Sequence, residues 1–333
     1  MDITLIKGDG IGPEVTKQAV RIVKATGANI DFEEYDAGIA AYEKCGELLP
    51  KELIDSIARN KAALKGPLTT PIGTGFRSIN LTLRKTFDLY ANVRRAVSFE
   101  GIDTPFKNVD IITVRENTEG LYCGIEETPD NDTALSTRLI TRGACERIIR
   151  YAFELARKQN RKKVTAVHKA NILKETDGLF LRCFEEIAKD YSEISHDSLI
   201  IDACCMKLVT RPEDFDVIVT TNLFGDVLSD LTSGLVGGLG LTCGNNIGKN
   251  CAIFEAVHGS APDIAGKNMA NPSALICAAT ELLRYVGYEK EALSIESALR
   301  LTYKSRAHFT ADLGGTETTE GFANAVIDNL GKI

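Results

Sequence analysis

This 333-residue sequence predicts an α/β fold, and three observations carry the prediction. Short β-branched or apolar runs alternate along the whole chain with helix-length amphipathic stretches. The first run ends in a glycine-rich turn that leads directly into a helix. No internal repeat or low-complexity tract interrupts the alternation.

Asp2 to Ile6 alternates and reads as the first strand. The turn Lys7-Gly-Asp-Gly-Ile-Gly-Pro13 follows, with Pro13 suited to a first helical turn and Gly27 stopping the helix near Thr26. Its glycines lack the G-x-G-x-x-G spacing, and no acidic residue stands at the distance a dinucleotide fingerprint requires, so the fold is not Rossmann. Ile30–Tyr35 is a strand, Leu49–Asn60 a helix opened by Pro50, and Ala62–Lys65 a short buried strand. The latter ends in the rigid loop Gly66-Pro-Leu-Thr69-Thr70-Pro71. Further strands are expected at Val109–Val114, Lys163–Val167, Leu199–Ile201 (ending at Asp202), Asp216–Thr220 and Ala252–Phe254. Helices are expected at Leu81–Asp88, Gly143–Gln159, Phe180–Ala188, from about Phe224, and at Ser273–Gly287, Lys290–Tyr303 and Thr319–Leu330. The polar segment Glu126–Arg142 reads as a flexible loop or an excursion toward a partner, and the six glycines of Gly234–Gly248 as a non-helical hinge.

Length suggests about two domains. The net charge of −7 disfavours a nucleic-acid partner, which calls for a basic face. Nine scattered cysteines without C-x-x-C spacing point to reduced thiols and a cytoplasmic setting. No basic leader region precedes the first strand, and no run approaches the roughly 20 apolar residues of a membrane span.

Chemistry concentrates in a few stretches. Ser78 and Asn80 sit at a helix start, where free N–H groups and a partial positive charge favour a carboxylate. Arg84, Arg94 and Arg95 follow, and guanidinium forks grip carboxylates in paired bonds. The stretch therefore suits a small substrate with several carboxylates. Asp226 and Asp230 project from one helix face, an arrangement that a hard divalent cation would stabilise, and Asp202 is available to complete the set. Lys169, beside His168 and Asn171 at a strand end, is a candidate base. Tyr122, seven residues after Arg115, is a candidate proton donor. The loop from Glu255 through His258, Asp263 and Ile264 to Asn271 is long enough to be functional, and Pro262 and Pro272 favour its order.

Taken in order, Gly8-Asp-Gly-Ile-Gly-Pro-Glu14, Tyr90-Ala-Asn-Val-Arg94, Arg115-Glu-Asn-Thr-Glu119, His168-Lys169, Asn222-Leu-Phe-Gly-Asp226-Val-Leu-Ser-Asp230 and Glu255-Ala-Val-His258-Gly-Ser-Ala-Pro262 resemble the β-decarboxylating dehydrogenases, the family of isocitrate, isopropylmalate and homoisocitrate dehydrogenases. The resemblance spans nearly the whole chain. It implies a large twisted mixed sheet with helices on both faces and two domains. The large domain would comprise 1–98 and 238–333, and the small one 99–237, with an intersubunit clasp at about 123–142. It implies oxidative decarboxylation of a 2-hydroxy acid, with NAD as hydride acceptor and Mg²⁺ or Mn²⁺ bound by Asp202, Asp226 and Asp230. Lys169 would serve as base and Tyr122 as proton donor. Ser78, Asn80, Arg84, Arg94 and Arg115 would bind substrate.

The pair Ser78 and Asn80 matches isocitrate-using members and suits a tricarboxylate; homoisocitrate, 3-isopropylmalate or a silent regulatory subunit are the alternatives. Thr69, Glu255, His258, Gly259, Asp263, Ile264 and Asn271 would bind the cofactor, Asp263 and Ile264 standing where NADP-using members tend to place lysine and tyrosine. A homodimer or higher homo-oligomer with shared active sites is implied, with Lys169 and Asp202 serving the neighbouring subunit. Arg95 departs from the family pattern, which usually has proline there.

Overall fold

The structure, a computed structural model, describes residues 1–69 and 78–332. In chain order its elements are β1 (Asp2–Ile6), α1 (Gly12–Ala25), β2 (Asp31–Tyr35), α2 (Ile39–Cys45), α3 (Lys51–Asn60), β3 (Ala62–Lys65), α4 (Ile79–Thr86), β4 (Ala91–Val97), β5 (Asp110–Glu116), β6 (Gly120–Asp130), β7 (Thr133–Leu139) and α5 (Arg142–Lys158). Then come β8 (Lys163–His168), α6 (Thr176–Ala188), β9 (Ser195–Ile200), α7 (Ile201–Leu208), β10 (Val217–Thr220), α8 (Asn222–Leu235), β11 (Cys243–Ile247), β12 (Ala252–Ala256), α9 (Ser273–Tyr285), α10 (Glu289–Ser305) and α11 (Thr319–Asn329).

The chain divides into two compact units. An outer unit comprises Met1–Phe87, Ser98–Pro105 and Val236–Ile333, and a central unit Asp88–Val97 and Phe106–Leu235. Residues 88–97 thus group with the central unit and 98–105 with the outer one, a different partition from the simple cuts near 98 and 238 expected from the sequence.

In the outer unit the strands run in the order β2-β1-β3-β12-β11, parallel except for the β11–β12 pair. Pro13 opens α1, whose Val15, Ala19, Ile22 and Val23 are fully buried, each contributing roughly 1.5–3 kcal/mol for the larger side chains. The edge strand β2 carries Asp31, Glu33 and Glu34, charges that blunt an open edge. The glycine turn has a packing role: a Cβ on Gly10 (φ +58°) would lie 2.0 Å from the Ser260 carbonyl oxygen. Ile11 N–H donates to that oxygen (2.8 Å), and Asp9 N–H to the Pro67 carbonyl (2.8 Å). The turn thereby ties together two loops expected to meet the cofactor.

In the central unit the order is β4-β5-β10-β8-β9, with β4–β5 antiparallel and the rest parallel. Val217-Ile-Val-Thr220 of β10 is buried at every position, as a strand covered on both faces must be. Helix α5 turns Ile148, Ile149, Ala152, Phe153 and Ala156 inward.

The structure revises four local expectations. Glu126–Arg142 is not a flexible loop for most of its length: β6 and β7 form an antiparallel hairpin around Asn131-Asp132. The two-residue Asn-Asp turn was the available signal. The glycine-rich stretch 234–248 contains β11, whose polar sequence Cys-Gly-Asn-Asn-Ile masked a buried strand. Asn246 is tolerated there because its amide donates to Ile253 O (3.3 Å) and Glu255 Oε1 (2.7 Å). Asp202 lies in the first turn of α7 and not at the end of a strand. Arg94 and Arg95 belong to β4, a strand that their charges concealed.

Candidate active site

In the central unit, β4, β5 and α8 build one cluster. Asn92 pairs with Arg115 and Arg94 with Thr113 across the β4–β5 register, so both arginines emerge on one face of the sheet. Gly225 lets α8 lie against them: a Cβ there would stand 2.5 Å from Arg115 Cγ. Arg115 is almost fully buried, and its Nε and Nη2 donate to Asn222 Oδ1 (3.0 and 2.7 Å) while Nη1 donates to Asp226. Arg94 donates to Asn92 Oδ1 (3.0 Å), Ser229 Oγ (2.8 Å) and Asp230 Oδ1 (2.9 Å), and its other nitrogen lies 3.5 Å from Asp226 Oδ1.

Tyr122, early in β6, donates to the second oxygen of Asp226 and lies under the Arg115 guanidinium, 5.1 Å from ring centroid to Cζ. Burial, then the hydrogen bond to Asp226, raise the Tyr122 phenol above its ordinary value, so it is protonated at neutral pH. Asn92, Asn222 and Ser229 are orienting residues that sequence reasoning did not single out; each lies inside or beside a quoted motif, which was the only signal.

Asp226 and Asp230 present hard carboxylate oxygens one helical turn apart, with side chains 34% and 57% exposed. Among the described residues no thiolate or imidazole joins them, so the donor set fits Mg²⁺ or Mn²⁺. Among the described residues of one chain, no three His, Cys, Asp or Glu side chains gather as a metal group, and Asp202 is therefore not assembled with Asp226 and Asp230. Its carboxylate instead pairs with Lys169 Nζ at 2.6 Å, and that bond holds Asp202 below the usual carboxylate range. Lys169 follows β8 directly and is half-buried.

In the outer unit Ser78 is the N-cap of α4, its hydroxyl accepting from Leu81 N–H at 3.4 Å. Asn80 sits in the first turn, and its buried Oδ1 has no hydrogen-bond partner among the described residues. Arg84 lies in the last turn of α4, and its charge reaches Glu255. Glu255, at the end of β12, is 5% exposed and held by Lys65 Nζ (2.7 Å) and Asn246. Burial alone would raise its carboxyl, but the charges of Lys65 and Arg84 prevail and hold it at about 2.

Thr69 N–H donates to Asp9 (2.8 Å), and the Thr69 hydroxyl lies 2.5 Å from Ser260 Oγ, next to Gly259. Thr70 and Pro71, the rest of that loop, lie outside the described residues. His258 contacts Gly259 O through Nδ1 (3.0 Å), whereas its buried Nε2 lacks a partner among the described residues. Burial lowers its pKa and keeps the ring neutral. Asp263 is exposed, and its carboxylate caps no N–H among the described residues; the turn there is closed by Ile264 N–H on Ala261 O. Ile264 is half-buried. Asn271 is committed to structure, donating to Asp312 (3.0 Å) and accepting from Ser273 N–H (3.0 Å) at the start of α9.

Arg95, the departure at a usual proline, faces away from this chemistry: it grips Asp110 through two 2.8 Å bonds, and Arg161 joins the same carboxylate at 2.8 Å.

Residues 2–326 match the profile of the isocitrate/isopropylmalate dehydrogenase family. The chain is 48% identical over 328 residues to the Arabidopsis thaliana mitochondrial isocitrate dehydrogenase [NAD] catalytic subunit 5, covering 98% of this chain and 88% of that protein. It is also 48% identical over 339 residues to a regulatory subunit of the mitochondrial NAD isocitrate dehydrogenase of Dictyostelium discoideum, covering 99% of this chain and 93% of that protein. The crystal structure of isocitrate dehydrogenase from Methylococcus capsulatus superposes with a TM-score of 0.95 at 53% identity, covering 99% of each chain.

Proposed function

The chain belongs to the isocitrate/isopropylmalate dehydrogenase family, and from that premise we propose that it oxidatively decarboxylates isocitrate to 2-oxoglutarate and CO₂ while reducing NAD, with Mg²⁺ or Mn²⁺. The observation that carries the reading is the convergence of Arg94, Arg115 and Tyr122 on Asp226. Two guanidiniums to grip carboxylates, a protonated phenol and two hard-oxygen donors thus lie within one small region. Asn80 Oδ1, buried without a partner among the described residues, suits a ligand hydroxyl or protonated group and would otherwise be a costly orphan.

Arg94 and Arg115 hold the substrate carboxylates, their rigid forks fixing its orientation. Lys169 accepts the hydroxyl proton as C2 is oxidised, and NAD supplies the hydride acceptor. After CO₂ leaves the β-keto acid, Tyr122 returns a proton to the carbon; its raised pKa keeps that proton in place at neutral pH. Asp226 and Asp230, with Asp202, would hold the cation, whose chemistry is to polarise the reacting oxygens and offset the charge that builds on them. Thr69, Glu255, His258, Gly259, Asp263, Ile264 and Asn271 serve the cofactor. The neutral His258 ring with an open Nε2 supports an adenine contact, and the uncommitted Asp263 carboxylate supports a ribose contact.

We also propose a homodimer or larger homo-oligomer with shared sites, clasped by the hairpin at about 123–142. The exposed apolar side chains Ile125, Leu135 and Leu139 support it. Nine free thiols suit a reducing compartment. They fit the cytoplasm expected from the sequence, whereas the plant relative is named mitochondrial; among the described residues no helix is long and apolar enough to cross a membrane.

A second reading, a regulatory subunit without turnover, is favoured only by the likeness to the Dictyostelium protein. The presence of Arg84, Arg94, Arg115, Tyr122, Lys169, Asp202, Asp226 and Asp230 weighs against it. Turnover of the purified chain with isocitrate, homoisocitrate, 3-isopropylmalate, malate and tartrate, each with NAD and NADP, decides. The proposal requires isocitrate with NAD to give the highest kcat/KM; absence of turnover by the folded chain alone favours the regulatory reading.

A further inference from the structure

We infer that Asp177 and Arg138 are positioning residues for Lys169, one buried ion pair setting both the seat of the β6–β7 hairpin and the placement of the base. Asp177, in the first turn of α6, is fully buried. Its Oδ2 accepts the Lys169 backbone N–H at 2.6 Å, and its Oδ1 lies 2.5 Å from Arg138 Nη1. Arg138 comes from β7, where every other residue is exposed while its own side chain is only 12% exposed. The same guanidinium donates to the Thr221 hydroxyl (2.8 Å) and to Thr176 Oγ1 (3.3 Å) and covers the Phe224 ring (5.2 Å to its centroid). Thr221 immediately precedes α8, the helix bearing Asp226 and Asp230.

One arginine from the otherwise exposed strand β7 therefore touches the segments that follow two neighbouring strands, β8 and β10. One segment carries the base and the other leads to the metal-binding carboxylates. A carboxylate buried this deeply is tolerable only with a charged partner. Without Arg138, the Asp177 carboxylate is left buried with no counter-charge, its hold on the Lys169 N–H is weakened, and the backbone from which Nζ reaches out is no longer fixed. Misplacement of a catalytic group by about 1 Å costs on the order of 10²-fold in rate. If the hairpin is the clasp, closing the dimer interface and setting Lys169 become one event.

The inference rests on Lys169 being the base, so Lys169→Ala is measured first in the full-length protein. Full turnover by that variant would remove the premise, and no turnover of isocitrate by the wild type would remove the proposed function; both results are distinguishable from failure of the ion pair to position the base. With those controls in place, Arg138→Met and Asp177→Asn should each lower kcat about 10- to 100-fold and leave KM for isocitrate within about threefold. Arg138→Lys should restore part of the loss. A merely structural pair would lower Tm and leave kcat of the folded variants unchanged, and that result overturns the inference. Should either single variant fail to fold, the neutral double variant Arg138→Met with Asp177→Asn, which buries no charge, carries the same test with the same two outcomes.

Discussion

Lys169 Nζ stands 2.6 Å from Asp202 Oδ1, so within one chain the candidate base and one candidate metal ligand are bound to each other. Asp226 and Asp230 lie on a different helix and are engaged by Arg94 and Arg115. The two halves of the chemistry are thus separately assembled in a single copy. This division supports a site completed by a second subunit.

The shared-site proposal predicts complementation. Lys169→Ala and Arg84→Ala homo-oligomers should each be inactive. Mixed and allowed to exchange subunits, they should recover up to about a quarter of wild-type turnover per site, a statistical estimate for paired sites of the kind symmetric dimers present. Exchange demonstrated by differently tagged chains without any return of activity would sink the model.

Ser78→Leu should lower kcat/KM for isocitrate at least 10-fold, about 1.4 kcal/mol, and affect malate less, because malate lacks the third carboxylate. Since the Ser78 hydroxyl also caps α4 at a long 3.4 Å, some stability loss, about 1 kcal/mol, is expected as well. Ser78→Thr, which keeps a capping oxygen, separates the effects. A wild-type preference for 3-isopropylmalate or homoisocitrate is the contrary result.

Asp226→Asn should abolish most turnover while the protein stays folded, because the amide oxygen can still accept from Arg115 while its NH₂ donates to the Tyr122 hydroxyl, but the side chain carries no charge for a cation. Mn²⁺ binding followed by paramagnetic resonance should weaken in parallel. Turnover undiminished in excess chelator would refute metal dependence.

Asp263→Lys with Ile264→Tyr should shift coenzyme preference from NAD toward NADP. An exposed carboxylate that caps no N–H among the described residues can accept from ribose hydroxyls and repel a 2′-phosphate. Steady-state kinetics with both coenzymes check this, and equal kcat/KM for NADP in the wild type would contradict it.

Glu255 predicts an acid-stability window. Its carboxyl is held at about 2 in the folded protein, against roughly 4.3 in an unfolded chain. Because the folded value is the lower one, its contribution is complete above the unfolded value and is lost as pH falls through the folded one, between about 4.5 and 2. The amount is about 3 kcal/mol at neutral pH. Glu255→Gln should be less stable at pH 7, leaving Lys65 unpaired, and should show a flatter stability–pH profile across that window. Urea unfolding at several pH values measures both, and identical slopes would overturn the assignment.

Periodicity and punctuation in the sequence determined the α/β class, the helices α1 and α5, the strand at Val217–Thr220 and the helix pairing Asp226 with Asp230. These were legible because each depends on residues close together in the chain. The ordered motifs likewise carried the family resemblance. Tertiary structure alone decided where polar residues could be buried: Arg94 and Arg115 lie within strands because Asp226, Asp230 and Asn222, more than 100 positions away, supply their countercharges and acceptors. Asn246 lies in a hidden strand because Glu255 and Ile253 accept its amide. Asp177 went unnoticed because neither its partner Arg138 nor the Lys169 N–H that it holds is marked by local spacing. The cost of burying a charge is set by the partner it meets, and long-range pairing is what a single sequence read locally does not contain.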